Sequence, residues 1–273
     1  MDSNRCCDVC TNGWGEGSIV LCALNNNHAM YTYDVCDYFS PLKEGEKRCI
    51  HYPPTIVRVA GTIFEMEGID RHLIEGSVRF VKNHQGPLDV VVDLGAHVGT
   101  FSIWCAKKGA TVYAYEPSDF NYRLLKNNIE SNREEMPGYV YAEKCAVTEQ
   151  SGNVASLRFG GVGSGQRSID FNEDMYPVEN DVPTISLSDL LESVFEAEGK
   201  IDYLKCDIEG TEWRFCDMDP ETRELVGRIG FVEMSVHPLS NMNYFRGEDI
   251  DYVEKMSDWL LSCGLPKDRF LLG

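Results

Sequence analysis

Asp93 and Glu116 are two carboxylates that bracket a glycine turn. The apolar run Val91-Val-Asp-Leu-Gly-Ala-His-Val-Gly99 reads as a strand ending in a tight loop, and Thr100–Lys108 behind it reads as a helix. Gly95 and Gly99 let the backbone turn sharply and approach a ligand, while the helix N-terminus offers unpaired N–H groups to an electronegative atom. The next strand, Val112-Tyr-Ala-Tyr-Glu-Pro117, ends on Glu116, at the spacing of a carboxylate that accepts two hydrogen bonds from a ribose diol. A dinucleotide loop has a middle glycine where backbone touches the diphosphate; here that position is His97. The form Asp-x-Gly-x-x-x-Gly, with one acid before the loop and another after the following strand, instead suits S-adenosylmethionine, a cationic sulfonium nucleoside without phosphate. Cys145 and Ala146, at the end of a third strand, are the residues expected near the adenine.

A second constellation lies in Ile201-Asp-Tyr-Leu-Lys-Cys-Asp-Ile-Glu-Gly-Thr-Glu-Trp213. An apolar strand delivers Asp207 and Glu209 to its C-terminal end, and Gly210 turns the chain towards a short helix over 212–216. Two carboxylates at i and i+2 suit a substrate hydroxyl, a divalent cation or the cationic end of a donor. The following strand, Phe231-Val-Glu-Met-Ser-Val-His-Pro238, adds Glu233 and His237. An imidazole titrates near neutral pH, so His237 is the expected general base; Asp207 and Glu209 would orient the acceptor or a divalent ion, with Lys205 and Trp213 as structural neighbours.

Six of the eleven cysteines fall in the first 49 residues. Cys7 and Cys10 with Cys22 and Cys36 have a spacing that can place four thiolates around one tetrahedral ion. Zinc is the first expectation for them, reduced metal-free thiols the second and an iron–sulfur cluster the third. A segment of about 50 residues with so few apolar side chains needs such a staple. Composition shifts near Tyr52-Pro-Pro54, so the chain divides into a Cys-rich N-terminal module, 1–52, and a catalytic domain, 53–273.

Within the second unit strands and helices alternate: runs around Gly61, a helix over 69–84, strand 88–94, helix 100–108, strand 111–115, helix 120–131 and strand 139–147. Then come helix 187–196, strand 201–206, strand 229–235, helix 248–263 and a last strand at 269–272. Such alternation predicts an α/β fold with a mostly parallel, open sheet and helices on both faces. Two long connections, 160–182 and 236–246, interrupt it, the first a lid, a substrate loop or a disordered insertion. A net charge of −19, from 25 basic and 44 acidic residues, argues against nucleic acid as a partner. No run of about 18 apolar residues predicts a membrane span, and without a secretory signal the expected location is the cytoplasm.

Taken in order, these segments resemble the FkbM family of S-adenosylmethionine-dependent methyltransferases over roughly residues 55 to 273. The resemblance is carried by Asp93-Leu-Gly-Ala-His-Val-Gly99, Glu116-Pro117 with Leu125 and Asn128, Cys145-Ala-Val147, Thr184–Leu190, Leu204–Glu212 and Val232–His237. It departs at Ser188 and in the whole N-terminal segment. The resemblance implies a class I, Rossmann-like methyltransferase fold and O-methylation of hydroxyls on sugars, glycans or small natural products. The reading from another class is a non-catalytic nucleoside-binding module whose zinc-stabilised segment docks a protein.

One expectation is testable on the cysteines alone. Protein purified without chelators should carry about one zinc per chain, because metal–thiolate bonds hold so small a polar segment together. Cys10→Ser should lose that zinc; elemental analysis finding neither zinc nor iron in the unmodified protein removes the metal.

Overall fold

The computed structural model describes residues 88–159, 167–171, 176–237 and 252–273, with residues 86 and 173 and the short segments 13–14, 19–22, 28–31, 54–59 and 62–67. Its strands are β1 (Gly13–Trp14), β2 (Ile19–Cys22), β3 (His28–Tyr31), β4 (Pro54–Val59), β5 (Thr62–Glu67), β6 (Val90–Leu94), β7 (Thr111–Tyr115) and β8 (Tyr139–Glu143). Then follow β9 (Ala146–Thr148), β10 (Val154–Phe159), β11 (Arg167–Ser168), β12 (Val178–Ser186), β13 (Tyr203–Cys206), β14 (Phe231–Met234) and β15 (Phe270–Leu272). The helices are α1 (Thr100–Lys107), α2 (Asp119–Ser131), α3 (Leu187–Glu198), α4 (Pro220–Gly227) and α5 (Tyr252–Ser262).

Six strands make the main sheet in the order β15-β14-β13-β6-β7-β8, every neighbouring pair parallel. The chain runs outward from β6 through β7 to β8, then returns to the other side of β6 and runs outward again through β13, β14 and β15. Strand order therefore reverses between β6 and β13, and a crevice opens beyond their C-terminal ends. Both faces are covered, as a parallel sheet requires. Val90, Val92 and Leu94 of β6 pack with Leu190, Leu191, Val194 and Trp259 on one face; Val91 packs with Phe101, Ile103, Leu124 and Leu125 on the other.

Local chemistry sets the helix boundaries. Ser118 caps α2 and Ser186 caps α3 by accepting the backbone N–H of Asn121 and of Asp189, and Asp219 caps α4 by accepting that of Thr222. Pro220 then occupies the first turn of α4, where no intrahelical N–H is needed.

A smaller sheet, β11-β10-β12-β9, stands beside the main one and is antiparallel except for the β9–β12 pair. It corrects two expectations. The strand read over 139–147 breaks at Lys144 and Cys145, its first part staying in the main sheet as β8 and its second leaving as β9. The connection read over 160–182 contains β11 and the start of β12. Burial along Val178–Ser186 alternates only in its second half, so the first half carries no strand pattern. The short helix read over 212–216 is a 3-10 helix, Thr211–Asp217.

Strands β1, β2 and β3 form an antiparallel sheet of their own, in which the Cys22 backbone pairs with Gly13 and His28. Cys7, Cys10 and Cys36, the Cys22 side chain and the helix expected over 69–84 lie outside the described residues. Among the described residues no helix is long and apolar enough to cross a membrane.

The hairpin β4–β5 is antiparallel, and Phe64 from β5 sits 1% exposed in the core formed with α1 and α2. Truncating so fully buried a ring costs about 3 to 5 kcal/mol. Phe64→Ala should thus lower the urea midpoint sharply, whereas Val154→Ala, on a side chain 71% exposed, should leave it within about 0.5 kcal/mol.

Candidate functional site

The crevice at the strand reversal is a cleft of about 900 Å3, its open mouth included. One wall is the loop after β6 with the end of β7: Gly95, His97, Thr100 and Glu116 line it. The second wall comes from Cys145 and from the smaller sheet that follows it, through Ala146, Leu157 and Arg167. Lys205, Asp207 and Glu209 at the end of β13 form the third.

The loop after β6 is fixed by its neighbours. Asp93 is fully buried and accepts hydrogen bonds from Ser102 Oγ at 2.6 Å and Lys205 Nζ at 3.2 Å. It therefore does not line the cleft; it anchors both the loop and Lys205. Gly95 has φ +78°, and a Cβ there would lie 1.9 Å from the carbonyl oxygen of Asp207, so the loop rests directly on the end of β13. Gly99, at φ +87°, likewise stays out of the cleft, its missing side chain facing Leu125 and Ile103. His97 adopts φ +54°, an uncommon conformation for a side chain other than glycine or asparagine. That conformation accompanies a hydrogen bond from its amide to Glu116 Oε2 at 2.8 Å.

Glu116 is 4% exposed. Its Oε1 accepts the amide of Ser118 at 3.0 Å. Burial pushes its carboxyl up to about 7 against the pull of the Ser118 and His97 amides and of Arg167. Arg167 is held by Glu179, which also accepts from the Ser118 hydroxyl, so the smaller sheet is tied electrostatically to the end of β7. Burial also pushes the Cys145 thiol up to about 12, which makes it an apolar wall rather than a nucleophile.

Lys205 was read as a structural neighbour of Asp207; the structure sets it into the cleft wall, in cross-strand register with Asp93. Its amine also donates to the Gly95 carbonyl at 3.3 Å and lies 3.9 Å from Asp207 Oδ2. Burial disfavours its charge, but Asp93 and Asp207 outweigh this and hold its pKa above the ordinary lysine value. Lysine in the middle of a buried strand was the one sign of this role.

At the mouth, Asp207, Glu209 and His237 converge. Strand β14 leaves the sheet beside β13, where Ser235 N donates to Cys206 O at 2.9 Å, and so carries His237 to the Asp207 turn. His237 Nε2 lies 3.6 Å from Asp207 Oδ1 and 3.6 Å from Glu209 Oε2. Its other nitrogen, Nδ1, is 2.9 Å from Oε1 of the fully buried Glu212, which also accepts the His237 amide at 2.9 Å. Burial works against the imidazolium, yet Glu212, Glu209 and Asp207 push the His237 pKa up to about 9. The three acids thus hold the imidazole above the near-neutral value expected for it. Glu212 escaped sequence reading because only its contact with His237 gives it a role.

No curated protein matches the chain. Among solved structures it is similar to Trm5 of Methanocaldococcus jannaschii in complex with adenosine, at 24% identity and a TM-score of 0.29, over 40% of this chain and 32% of that one. It is similar also to TYW2 of P. horikoshii in complex with MeSAdo, at 25% identity and TM-score 0.29, over 34% of this chain and 36% of that one. A third likeness is to the SAM-dependent methyltransferase from Agrobacterium tumefaciens, at 11% identity and TM-score 0.35, over 78% of this chain and 54% of that one. The chain thus spans about a third of the first two structures and about half of the third. The model of the methyltransferase FkbM domain matches residues 93–265, more than half of the sequence and all of the cleft described above, and the chain belongs to that family.

Proposed function

We propose that the cleft binds S-adenosylmethionine and that the protein transfers the donor's methyl group to a hydroxyl oxygen of a sugar, a glycan or a small natural product. The observation that carries this reading is Glu116: a buried carboxylate facing the cleft between the glycine loop and an apolar wall, across from Asp207 and Glu209. A carboxylate oxygen has two acceptor sites. Glu116 Oε2 uses one for the His97 amide, which leaves the other to a ribose hydroxyl. Cys145, Ala146 and Leu157 offer the purine an apolar surface, and the N-terminus of α1 with Lys205 offers a carboxylate end positive charge. These residues fit the donor.

When bound, the donor supplies a methyl group activated by its positive sulfur. The chain's own part is to bring the acceptor in line and take up its proton. Asp207 and Glu209 line the cleft and His237 stands beside them, where the three hold the acceptor hydroxyl. As the oxygen forms its bond to the methyl carbon, the carbon–sulfur pair goes to sulfur and the hydroxyl proton passes to the carboxylate of Glu209, which burial pushes up to about 7. An acid-lined mouth on a chain of net charge −19 suits a neutral or cationic hydroxyl acceptor and repels a polyanion.

Incubating cell extracts with the full chain and isotopically labelled donor, followed by mass spectrometry, tests the acceptor class. Label in O-methyl products of low-molecular-weight or glycan fractions is the expected result; label confined to RNA or protein overturns the acceptor class. Once an acceptor is in hand, His237→Ala should slow transfer by roughly 10² to 10⁴ with donor affinity retained.

The donor site has its own pH signature. Diol hydroxyls donate best to an ionised carboxylate, and Glu116 holds its proton up to about pH 7. Donor affinity should therefore rise as pH increases through 7 and fall by up to about tenfold per pH unit below it. Calorimetry of Glu116→Gln should show a flattened profile. Glu116→Ala loses charge-assisted bonds worth roughly 1.5 to 3 kcal/mol, so affinity drops about tenfold or more. Unchanged affinity in that folded variant sinks the assignment.

A further inference from the structure

We infer that Asp207, Glu209 and His237 form a binding site for one divalent first-row metal ion, with Glu212 as the residue that positions the imidazole. One ligand atom from each of the three side chains lies within 4.8 Å of the other two. The two separations from His237 Nε2, both 3.6 Å, are too long for hydrogen bonds. They match two ligands of a common ion: donors at roughly 2.0 to 2.2 Å in a tetrahedral arrangement stand about 3.3 to 3.6 Å apart. The imidazole thus faces two carboxylates at the separation of co-ligands without hydrogen-bonding to either.

The imidazole is also presented as a metal ligand is. A ligating histidine gives its second nitrogen to a carboxylate, which fixes the ring and the tautomer. Here that carboxylate is Glu212, fully buried, whose Oε2 accepts the Gly210 amide at 2.7 Å and whose Oε1 meets both Nδ1 and the amide of His237. Trp213 Nε1 donates to the His237 carbonyl at 2.9 Å and holds the same residue from its other side. Nε2 is thereby aimed at Asp207 and Glu209, whose side chains are 37% and 26% exposed and line the cleft. Three protein ligands with the remaining position open to the cleft is the arrangement of a catalytic site, whereas a structural site closes all four. One nitrogen and two oxygens, without a thiolate, suit Mn2+, Fe2+ or Zn2+.

The ion's role, though not its binding, rests on the methyl-transfer reading: next to the acceptor it would lower the pKa of the hydroxyl, so that its proton could pass to water at the open cleft while the three side chains hold the ion. Mn2+ is the probe, because it binds carboxylate and imidazole and avoids the thiolates of the N-terminal segment. Titration of the full chain followed by electron paramagnetic resonance should show one bound Mn2+ per chain. Binding should fall by more than a hundredfold in the isosteric variants Asp207→Asn and Glu209→Gln, by about 10- to 100-fold in Glu212→Gln, and not at all in Val154→Ala, on an exposed side chain. No saturable Mn2+ binding, or binding that survives Asp207→Asn and Glu209→Gln together, overturns the site. Donor calorimetry on the same preparation separates the two readings: donor bound without Mn2+ overturns only the ion, and Mn2+ bound without donor overturns only the donor.

Discussion

The buried pair between Asp93 and Lys205 joins the two strands at which the sheet reverses its order. The residues are direct partners in the parallel β6–β13 register, Asp93 fully buried and Lys205 nearly so at the cleft wall. Removing one partner leaves a bare charge in the core, a loss typically of about 3 to 5 kcal/mol, so the two are retained or lost together. From this pair the rest of the site is built outward. Lys205 also grips the Gly95 carbonyl, and Ser102 from α1 closes on Asp93, so loop, helix and second strand share one electrostatic anchor. The contact of Gly95 with the Asp207 carbonyl follows: the glycine loop and the acid-bearing turn are pressed against each other with no room for a side chain.

The smaller sheet has a different relation to the site. It reaches the cleft through Arg167, and Arg167 through Glu179 reaches Ser118, the cap of α2 directly behind Glu116. A change of charge on Glu116 is therefore felt by a neighbouring sheet as well as by its own strand. Around the cleft each base answers two acids, Arg167 facing Glu179 as well as Glu116. Glu116 is opposed by Arg167, and Asp93 with Asp207 by Lys205.

Much of this was legible in the chain. Strand β7 has the bounds expected of it, α1 ends one residue early, and Gly95, His97, Glu116, Cys145, Ala146, Asp207 and Glu209 line one cleft. These features come from local signals: apolar runs, glycines at turns and acids at strand ends. What escaped depends on partners distant in sequence. Lys205 reads as an oddity until Asp93, 112 residues away, is placed beside it. Glu212 has no visible purpose until the next strand brings His237 within 2.9 Å. The smaller sheet escaped for another reason: β10 and the first half of β12 are only partly buried, and a strand without one covered face has no alternation to read.

The distribution of acids also constrains which step they serve. In the proposed reaction the donor begins as a cation whose charge is dispersed in the transition state and gone in the product. A carboxylate aimed at the sulfur would stabilise the starting state most, and binding the ground state more tightly than the transition state slows the chemical step. Acceleration must come from the other reactant, whose oxygen needs a partner for its proton as the new bond forms. The two groups of acids divide on this line. Glu116 lies deep, tied to two backbone amides, and contributes binding; Asp207 and Glu209 stand half-exposed at the mouth beside His237, where an acceptor must enter. Loss of the sulfonium charge on transfer weakens the cleft's hold on the product relative to the donor, so the field that draws the donor in also favours release of what remains of it.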